Sequence, residues 1–101
     1  MKKQIAESEV LAKLAAKAID DKKGSDLRVL DLRGVASAPA EFFVIASGNV
    51  PSHVSALSDA VFEVVKKATG YNPHKVEGYQ NAEWILMDYF DVVVHIFQKE
   101  K

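Results

Sequence analysis

The sequence predicts a single α/β domain with a five-stranded mixed sheet and two main helices. Its 101 residues suit one domain spanning the whole of residues 1–101. Apolar residues make up 49% and charged residues 27%, as in ordinary globular proteins, so a disordered chain is excluded. Apolar side chains recur at helical spacing in two segments and at strand spacing in five others.

Two segments have the pattern of amphipathic helices. The first covers residues 5–23, with Ser8 as the expected N-cap and Gly24 as the stop. The second begins at Pro51, whose fixed φ suits a first helical turn, and ends at Gly70. Each segment carries one apolar stripe, so each helix is expected to pack against the sheet.

Five segments have the composition of strands: residues 27–32, 42–47, 74–77, 83–89 and 91–97. The second strand carries apolar side chains on both faces, which is typical of an interior strand. The helical connection that follows it predicts that the second and third strands run parallel. The last two strands are expected to form an antiparallel hairpin around Tyr89 and Phe90.

The hairpin has large apolar side chains on both faces. In the last strand, one face carries Val92, Val94 and Ile96, and the other carries Val93, His95 and Phe97. In the preceding strand, Trp84 and Leu86 lie on the face opposite to Ile85, Met87 and Tyr89. If both helices cover one face, the other is an exposed apolar patch, which is typical of a binding site. If one helix lies on each face, all these residues are core. Periodicity alone leaves both arrangements open.

Composition narrows the class of function. The net charge is −1 and the basic pairs are scattered among acids, so nucleic-acid binding is not expected to be the main activity. The absence of Cys excludes disulfides and zinc–thiolate sites. No apolar run has the length of a membrane span, and the N-terminus lacks a signal-peptide pattern. The sequence therefore predicts a cytoplasmic protein without a membrane partner.

Two acidic residues, Asp88 and Asp91, flank the predicted hairpin turn. Paired carboxylates can bind a divalent cation, but Asp at a strand end more often caps a turn by accepting backbone N–H bonds. Capping is the favoured interpretation, because no third oxygen ligand is evident nearby. The turn at residues 47–49 precedes a helix N-terminus, where anions bind readily. It resembles a nucleotidyltransferase turn, although the paired acids expected soon after it are missing. We predict no metal and no cofactor.

Two long motifs indicate a family. The first reads Leu-Asp-Leu-Arg-Gly at residues 30–34 and Glu-Phe-Phe-Val-Ile-Ala-Ser-Gly-Asn at residues 41–49. The second reads His-Lys-Val-Glu-Gly at residues 74–78, followed by Trp-Ile-Leu-Met-Asp-Tyr and Asp-Val-Val-Val-His-Ile-Phe at residues 84–89 and 91–97. Together they resemble the ribosomal silencing factor family, also called the Iojap family, over nearly the whole chain.

The resemblance implies a nucleotidyltransferase-like topology without a catalytic site, and hence a protein that is not an enzyme. It implies a translational repressor that binds the large ribosomal subunit through ribosomal protein number fourteen, on the face that meets the small subunit. Blocking subunit joining would lower translation when nutrients are scarce. The net charge of −1 separately predicts little direct nucleic-acid binding. Two alternatives stay open. One is a nucleotidyltransferase-like enzyme that uses Asp88 and Asp91 with magnesium, and the other is a self-associating ribosome-assembly module that forms a homodimer.

The resemblance also assigns site residues. Trp84, Leu86, Asp88 and Tyr89 match the family's Trp-hydrophobic-Leu-hydrophobic-Asp-Tyr stretch and are expected to form the centre of a protein contact. The residues expected beside this centre are Asp91 and His95. Matches at other family positions, with less defined roles, are Asp31, Glu41, Ser47 and Asn49.

Three departures from the family pattern are visible. Glu41 stands where Asp is common, and Val50 replaces a small polar residue before Pro51, which predicts a weaker helix cap. The usual C-terminal segment, rich in acids and aromatics, does not follow the last predicted strand. One edge of the expected contact surface is therefore left undefined.

Overall fold

The computed structural model describes the backbone of residues 2–99 and the side chains of residues 7–99. The elements in chain order are α1 (Lys2–Asp21), β1 (Ser25–Asp31), β2 (Phe42–Gly48), α2 (Pro51–Thr69), β3 (Lys75–Glu77), β4 (Trp84–Asp88) and β5 (Val92–Gln98). The predicted fold class, a single domain with two helices and a five-stranded mixed sheet, is confirmed.

The strands lie in the order β1-β2-β5-β4-β3. β5 occupies the centre, parallel to β2 and antiparallel to β4, while β1 and β3 form the two edges. The predicted antiparallel hairpin of β4 and β5 is present. β3 runs in the same direction as β2, as expected, but the hairpin lies between the two strands.

Both helices lie on the same face of the sheet. α1 packs against β1, β2 and β5, and α2 packs against β2, β5 and β4, while the helices also contact each other. The buried sheet residues of this core are Phe42, Val44, Ala46, Ile85, Met87, Val92, Val94 and Ile96. Of the two arrangements that the sequence left open, the first is therefore the correct one.

The core follows from strand and helix periodicity. Along β2, Phe42, Val44 and Ala46 are buried while the intervening residues are only half-buried, because successive side chains point to opposite faces. The helices contribute Leu11, Ile19, Leu57, Val61 and Val65 to the same cluster. Burial of one such large aliphatic side chain stabilises the fold by about 1.5 to 3 kcal/mol.

The start of α1 differs from the sequence-based expectation. The helix already includes Lys2, so the expected N-cap role of Ser8 is wrong. Ser8 is instead buried within the helix, and its hydroxyl donates a 2.6 Å hydrogen bond to the carboxylate of Glu41. Sequence spacing does not reveal this bond, because its two residues are 33 positions apart.

The start of α2 is held by a histidine. Its N-cap residue, Val50, makes no side-chain capping bond, as the departure from the family pattern predicts. The backbone N–H of Asn49 donates to Nδ1 of His53 at 3.0 Å, and Nε2 of His53 lies 2.9 Å from the carbonyl oxygen of Lys22. Since Nδ1 accepts, Nε2 carries the proton and donates. His53 therefore links the start of α2 to the residue after α1.

The turn that leads into β4 requires a glycine at position 78, and two glycines elsewhere in the chain serve as comparisons. Gly78 has a φ of 80°, and a Cβ there would overlap the carbonyl oxygen of Trp84. Gly70 has the same φ but no atom within 4 Å of a Cβ, whereas Gly34 has open space and no left-handed φ. Left-handed backbone costs a residue with a Cβ about 1 to 2 kcal/mol.

We predict that Gly78→Ala lowers the free energy of unfolding by about 3 kcal/mol or more, since strain and overlap add there. Gly70→Ala is expected to cost about 1 kcal/mol, and Gly34→Ala to change stability by less than about 0.5 kcal/mol. Urea unfolding followed by circular dichroism measures all three. A Gly78→Ala variant as stable as Gly34→Ala would contradict this account of the turn.

Candidate functional site

The face of the sheet opposite the helices carries a continuous set of side chains from its three central strands. We call this set the free face, and it consists of Phe43, Ile45, Ser47, Trp84, Leu86, Asp88, Val93, His95 and Phe97. Within residues 2–99, no helix packs on this side. Trp84 is 38% exposed and Phe97 is 40% exposed, so large apolar groups meet solvent here. Exposed apolar patches of this kind mark binding sites.

The register of the strands sets the geometry of the free face. His95 is the partner of Ile45 on one side and of Leu86 on the other, and Trp84 is paired with Phe97. The ring centroids of His95 and Phe43 are 5.0 Å apart in an edge-to-face arrangement, and Trp84 and Phe97 stack at 6.3 Å. These ring contacts make the free face a preformed surface.

Charged side chains border the free face along both edge strands. On β1, Arg28 is paired with Ile45. On β3, Lys75 and Glu77 are paired with Asp88 and Leu86 and form an ion pair of 2.8 Å with each other. An apolar centre with a polar rim is the usual anatomy of a protein–protein interface.

Four of the six predicted contact residues, Trp84, Leu86, Asp88 and His95, lie together on the free face. The same surface is completed by four apolar side chains that were not predicted as site residues: Phe43, Ile45, Val93 and Phe97. Their alternation within the strands is visible in the sequence. The missing information was which face of the sheet the helices leave open.

The structure places Tyr89 on the helix side of the sheet. It is only 7% exposed and belongs to the core that contains Leu11. Its hydroxyl is buried and has no hydrogen-bond partner within the described part of the chain. Burial raises the pKa of Tyr89 to about 12, because the apolar surroundings disfavour the phenolate. Tyr89 is therefore not part of the free face.

Asp91 is also separate from the free face. It lies in the hairpin loop and lines a cleft on the helix side together with Glu7 and Tyr71. Its backbone oxygen accepts hydrogen bonds from the backbone N–H groups of Glu41 and Phe42. Partial burial, and then the neighbouring carboxylate of Glu41, raise the pKa of the Asp91 carboxyl group.

The remaining acidic candidates are engaged locally. Asp88 accepts a 2.8 Å hydrogen bond from the backbone N–H of Phe90, whose φ is 74°, so the preferred interpretation of this residue as a turn cap is confirmed. Asp31 is exposed and paired with Arg33 at 2.7 Å, and this partner lowers its pKa to about 2. The described residues contain no group of three or more His, Asp or Glu side chains arranged to hold a metal ion.

The turn at residues 47–49 offers little to an anion. The Asn49 N–H is already bonded to His53, and the Gly48 carbonyl accepts a 2.7 Å bond from the Lys99 N–H. A Cβ at Gly48 would lie 2.9 Å from the backbone nitrogen of Val54, so this turn is packed closely against the start of α2.

Among the described helices, none is long and apolar enough to cross a membrane.

A preformed apolar surface with a charged rim is typical of a protein-docking module. The sequence model of the family described as "Ribosomal silencing factor during starvation" matches residues 5–101. The chain belongs to this family, which supports a ribosome-associated role in silencing translation.

Relatives and solved structures agree with this membership. Proteins named "Ribosomal silencing factor RsfS" from Halalkalibacterium halodurans and Bacillus subtilis are 38% and 37% identical over 90% of this chain, covering 76% and 75% of their own lengths. A crystal structure from Chromobacterium violaceum has a TM-score of 0.82 and 34% identity, covering 89% of this chain and 73% of that one. One from Bacillus halodurans has a TM-score of 0.81 and 36% identity, covering 91% and 84%.

The buried hydroxyl of Tyr89 leads to a prediction about stability. Replacing an unpaired buried polar group by an apolar one is neutral or stabilising, so Tyr89→Phe is expected to be at least as stable as the parent protein near pH 7.5. A folded-state pKa above the usual value of about 10 gives stability that is present below that pH and is lost as pH rises towards 12. The advantage of Tyr89→Phe should therefore grow by about pH 11, as urea unfolding at both pH values would measure.

Tyr79→Phe is the matched control. The hydroxyl of Tyr79 is exposed and donates a 2.8 Å hydrogen bond to Asp59, so its loss should lower stability slightly near pH 7.5. A loss of more than about 1 kcal/mol for Tyr89→Phe at that pH would show that its hydroxyl has a partner.

Proposed function

We propose that this protein lowers translation by docking its free face onto ribosomal protein number fourteen of the large ribosomal subunit, where its body blocks joining of the small subunit. Family membership supports the ribosomal association, and the named partner is what the sequence resemblance implies. The observation that carries the docking proposal is the exposed apolar surface around Trp84, with no element of residues 2–99 packed over it.

The proposed action is steric, and no bond is made or broken. Relatives are named for silencing rather than for a catalysed reaction. The two acids of the alternative magnesium-dependent enzyme do not form one site. Asp88 lies on the free face and caps the hairpin turn, while Asp91 lines the cleft on the helix side. These placements favour docking over phosphoryl transfer.

The free face has the features of a stable contact. A standard interface buries about 800 Å² on each partner, and aromatic anchors supply much of its energy. Trp84 and Phe97 stack on each other at the end of the β4–β5 hairpin away from its turn. Docking would therefore restrict few additional rotatable bonds in these side chains. Charges of both signs at the rim would guide the encounter with a ribosomal protein.

Two further expectations follow from this placement. A net charge of −1 favours contact with ribosomal protein over contact with ribosomal RNA, whose phosphates repel acids. A homodimer formed through the free face would compete with ribosome docking, since both would bury the same side chains. We place the protein in the cytoplasm, where ribosomal subunits join.

We predict that Trp84→Ala weakens binding to purified large ribosomal subunits by about 2 kcal/mol, or about thirtyfold. Because the Trp84 side chain is partly exposed and outside the helix-side core, the variant should fold. Co-sedimentation at several protein concentrations gives the affinity, and a pull-down with isolated ribosomal protein number fourteen identifies the partner.

Phe62→Ala is the matched control, because Phe62 is 44% exposed on α2 and lies outside the free face. Equal binding by both variants would count against docking through Trp84. If the parent protein binds large subunits but not isolated ribosomal protein number fourteen, docking through the free face would stand and the proposed partner would be wrong.

A further inference from the structure

His95 is the polar residue at the centre of the free face. It lies between Ile45 and Leu86 along the sheet. Aromatic rings surround it, with the centroid of Phe43 at 5.0 Å and those of Trp84 and Phe97 at 6.5 Å and 6.3 Å. A partner that covers Trp84 and Phe97 would therefore also cover this imidazole.

The two ring nitrogens of His95 have different surroundings. Nε2 is enclosed and has no hydrogen-bond partner in the described part of the chain. The His95 residue as a whole is half-buried, so Nδ1 is the ring nitrogen left to donate to solvent or to a docked surface. A buried N–H without an acceptor is tolerated less well than a bare lone pair. The favoured neutral form therefore carries its proton on Nδ1 and leaves Nε2 unprotonated.

Protonation of His95 would place an N–H on the enclosed Nε2, where nothing accepts it. Burial accordingly lowers the pKa of His95 below its usual value. A docked partner would exclude the remaining water and disfavour the charged form further.

The charged side chains on the free face and its rim do not offset the lowering of the His95 pKa by burial, because they are distant from the ring or paired with other groups. β2 contributes only uncharged side chains beside the ring, and β4 contributes Asp88, which is bonded to the Phe90 N–H. Arg28 on β1 and Glu77 on β3 lie two strands away on opposite sides, at about 10 Å, and Glu77 is paired with Lys75. No carboxylate of the described chain contacts the imidazole to stabilise its charge.

We propose that His95 determines the specificity of the free face: it docks in its neutral form and donates a hydrogen bond from Nδ1 to an uncharged oxygen of the partner protein, such as a backbone carbonyl. This inference rests on the proposed function and defines the surface that the free face selects. The partner surface is apolar, with one carbonyl or amide oxygen opposite His95 and no carboxylate there. Docking therefore weakens as the pH falls.

The test measures the affinity for large ribosomal subunits from about pH 7.5 to about pH 5.5. Only neutral His95 docks, so binding should weaken several-fold over this range. The weakening should not exceed about tenfold, because the neutral fraction of a histidine with the ordinary pKa of about 6.5 falls about tenfold over this range. His95→Phe should bind about tenfold more weakly than the parent protein at pH 7.5 and should lose this part of the pH dependence.

His95→Asn separates hydrogen bonding from packing, because its amide N–H₂ occupies nearly the place of Nδ1 but does not titrate. It should recover part of the affinity lost in His95→Phe at pH 7.5 and should also show the flatter pH profile. His74→Gln is the control for a histidine outside the free face, because the His74 ring packs against Phe90 of the hairpin loop, and this variant should keep the pH dependence of the parent protein.

Three outcomes would overturn the inference while the proposed function stands: tighter binding at low pH, an unchanged pH profile in His95→Phe, or unchanged affinity of that variant at pH 7.5. The first would indicate a carboxylate opposite the ring. If the parent protein fails to bind large subunits at all, the proposed function fails. A nitrogen-detected NMR titration of the free protein still tests the basis for His95, since an Nε2–H tautomer or a pKa at or above 6.5 would contradict it.

Discussion

The central position of β5 is the constraint on which the rest of the structure depends. This strand has apolar side chains on both faces and hydrogen-bonds to β2 and β4 along its two edges. Residues 2–99 form two helices, and both are needed to cover the side that carries Val92, Val94 and Ile96. The opposite side must therefore present Val93, His95 and Phe97 outward. An exposed apolar surface is the direct result of building a two-sided strand into a fold with helices on one side.

Much of this fold could be predicted from the sequence. The five strands, the interior character of β2 and the hairpin of β4 and β5 follow from residue composition and alternation, which depend on neighbours a few positions apart. The bond between Ser8 and Glu41 could not be predicted in this way, because it joins residues that are distant in the sequence. The same is true of the link between His53 and Lys22.

The candidate site was predictable in part, and the reason is specific. Alternation correctly grouped Trp84 with Leu86 and His95 with Phe97, because it determines which side chains share a face. It carries no information about which face the helices cover, so it could not distinguish the exposed Trp84 from the buried Tyr89. The family motif contains both residues in one stretch, although the sheet places them on opposite sides.

The strand that completes the sheet is also the last one in chain order, and it lies between two strands made earlier. During synthesis, β2 and β4 each keep an unpaired edge until this strand leaves the exit tunnel, and α1 and α2 meanwhile have only part of a sheet to pack on. The domain cannot fold progressively from its N-terminus, because its central contacts close at the end. The free face therefore forms only after β5 has left the exit tunnel, since β5 supplies Val93, His95 and Phe97 to it.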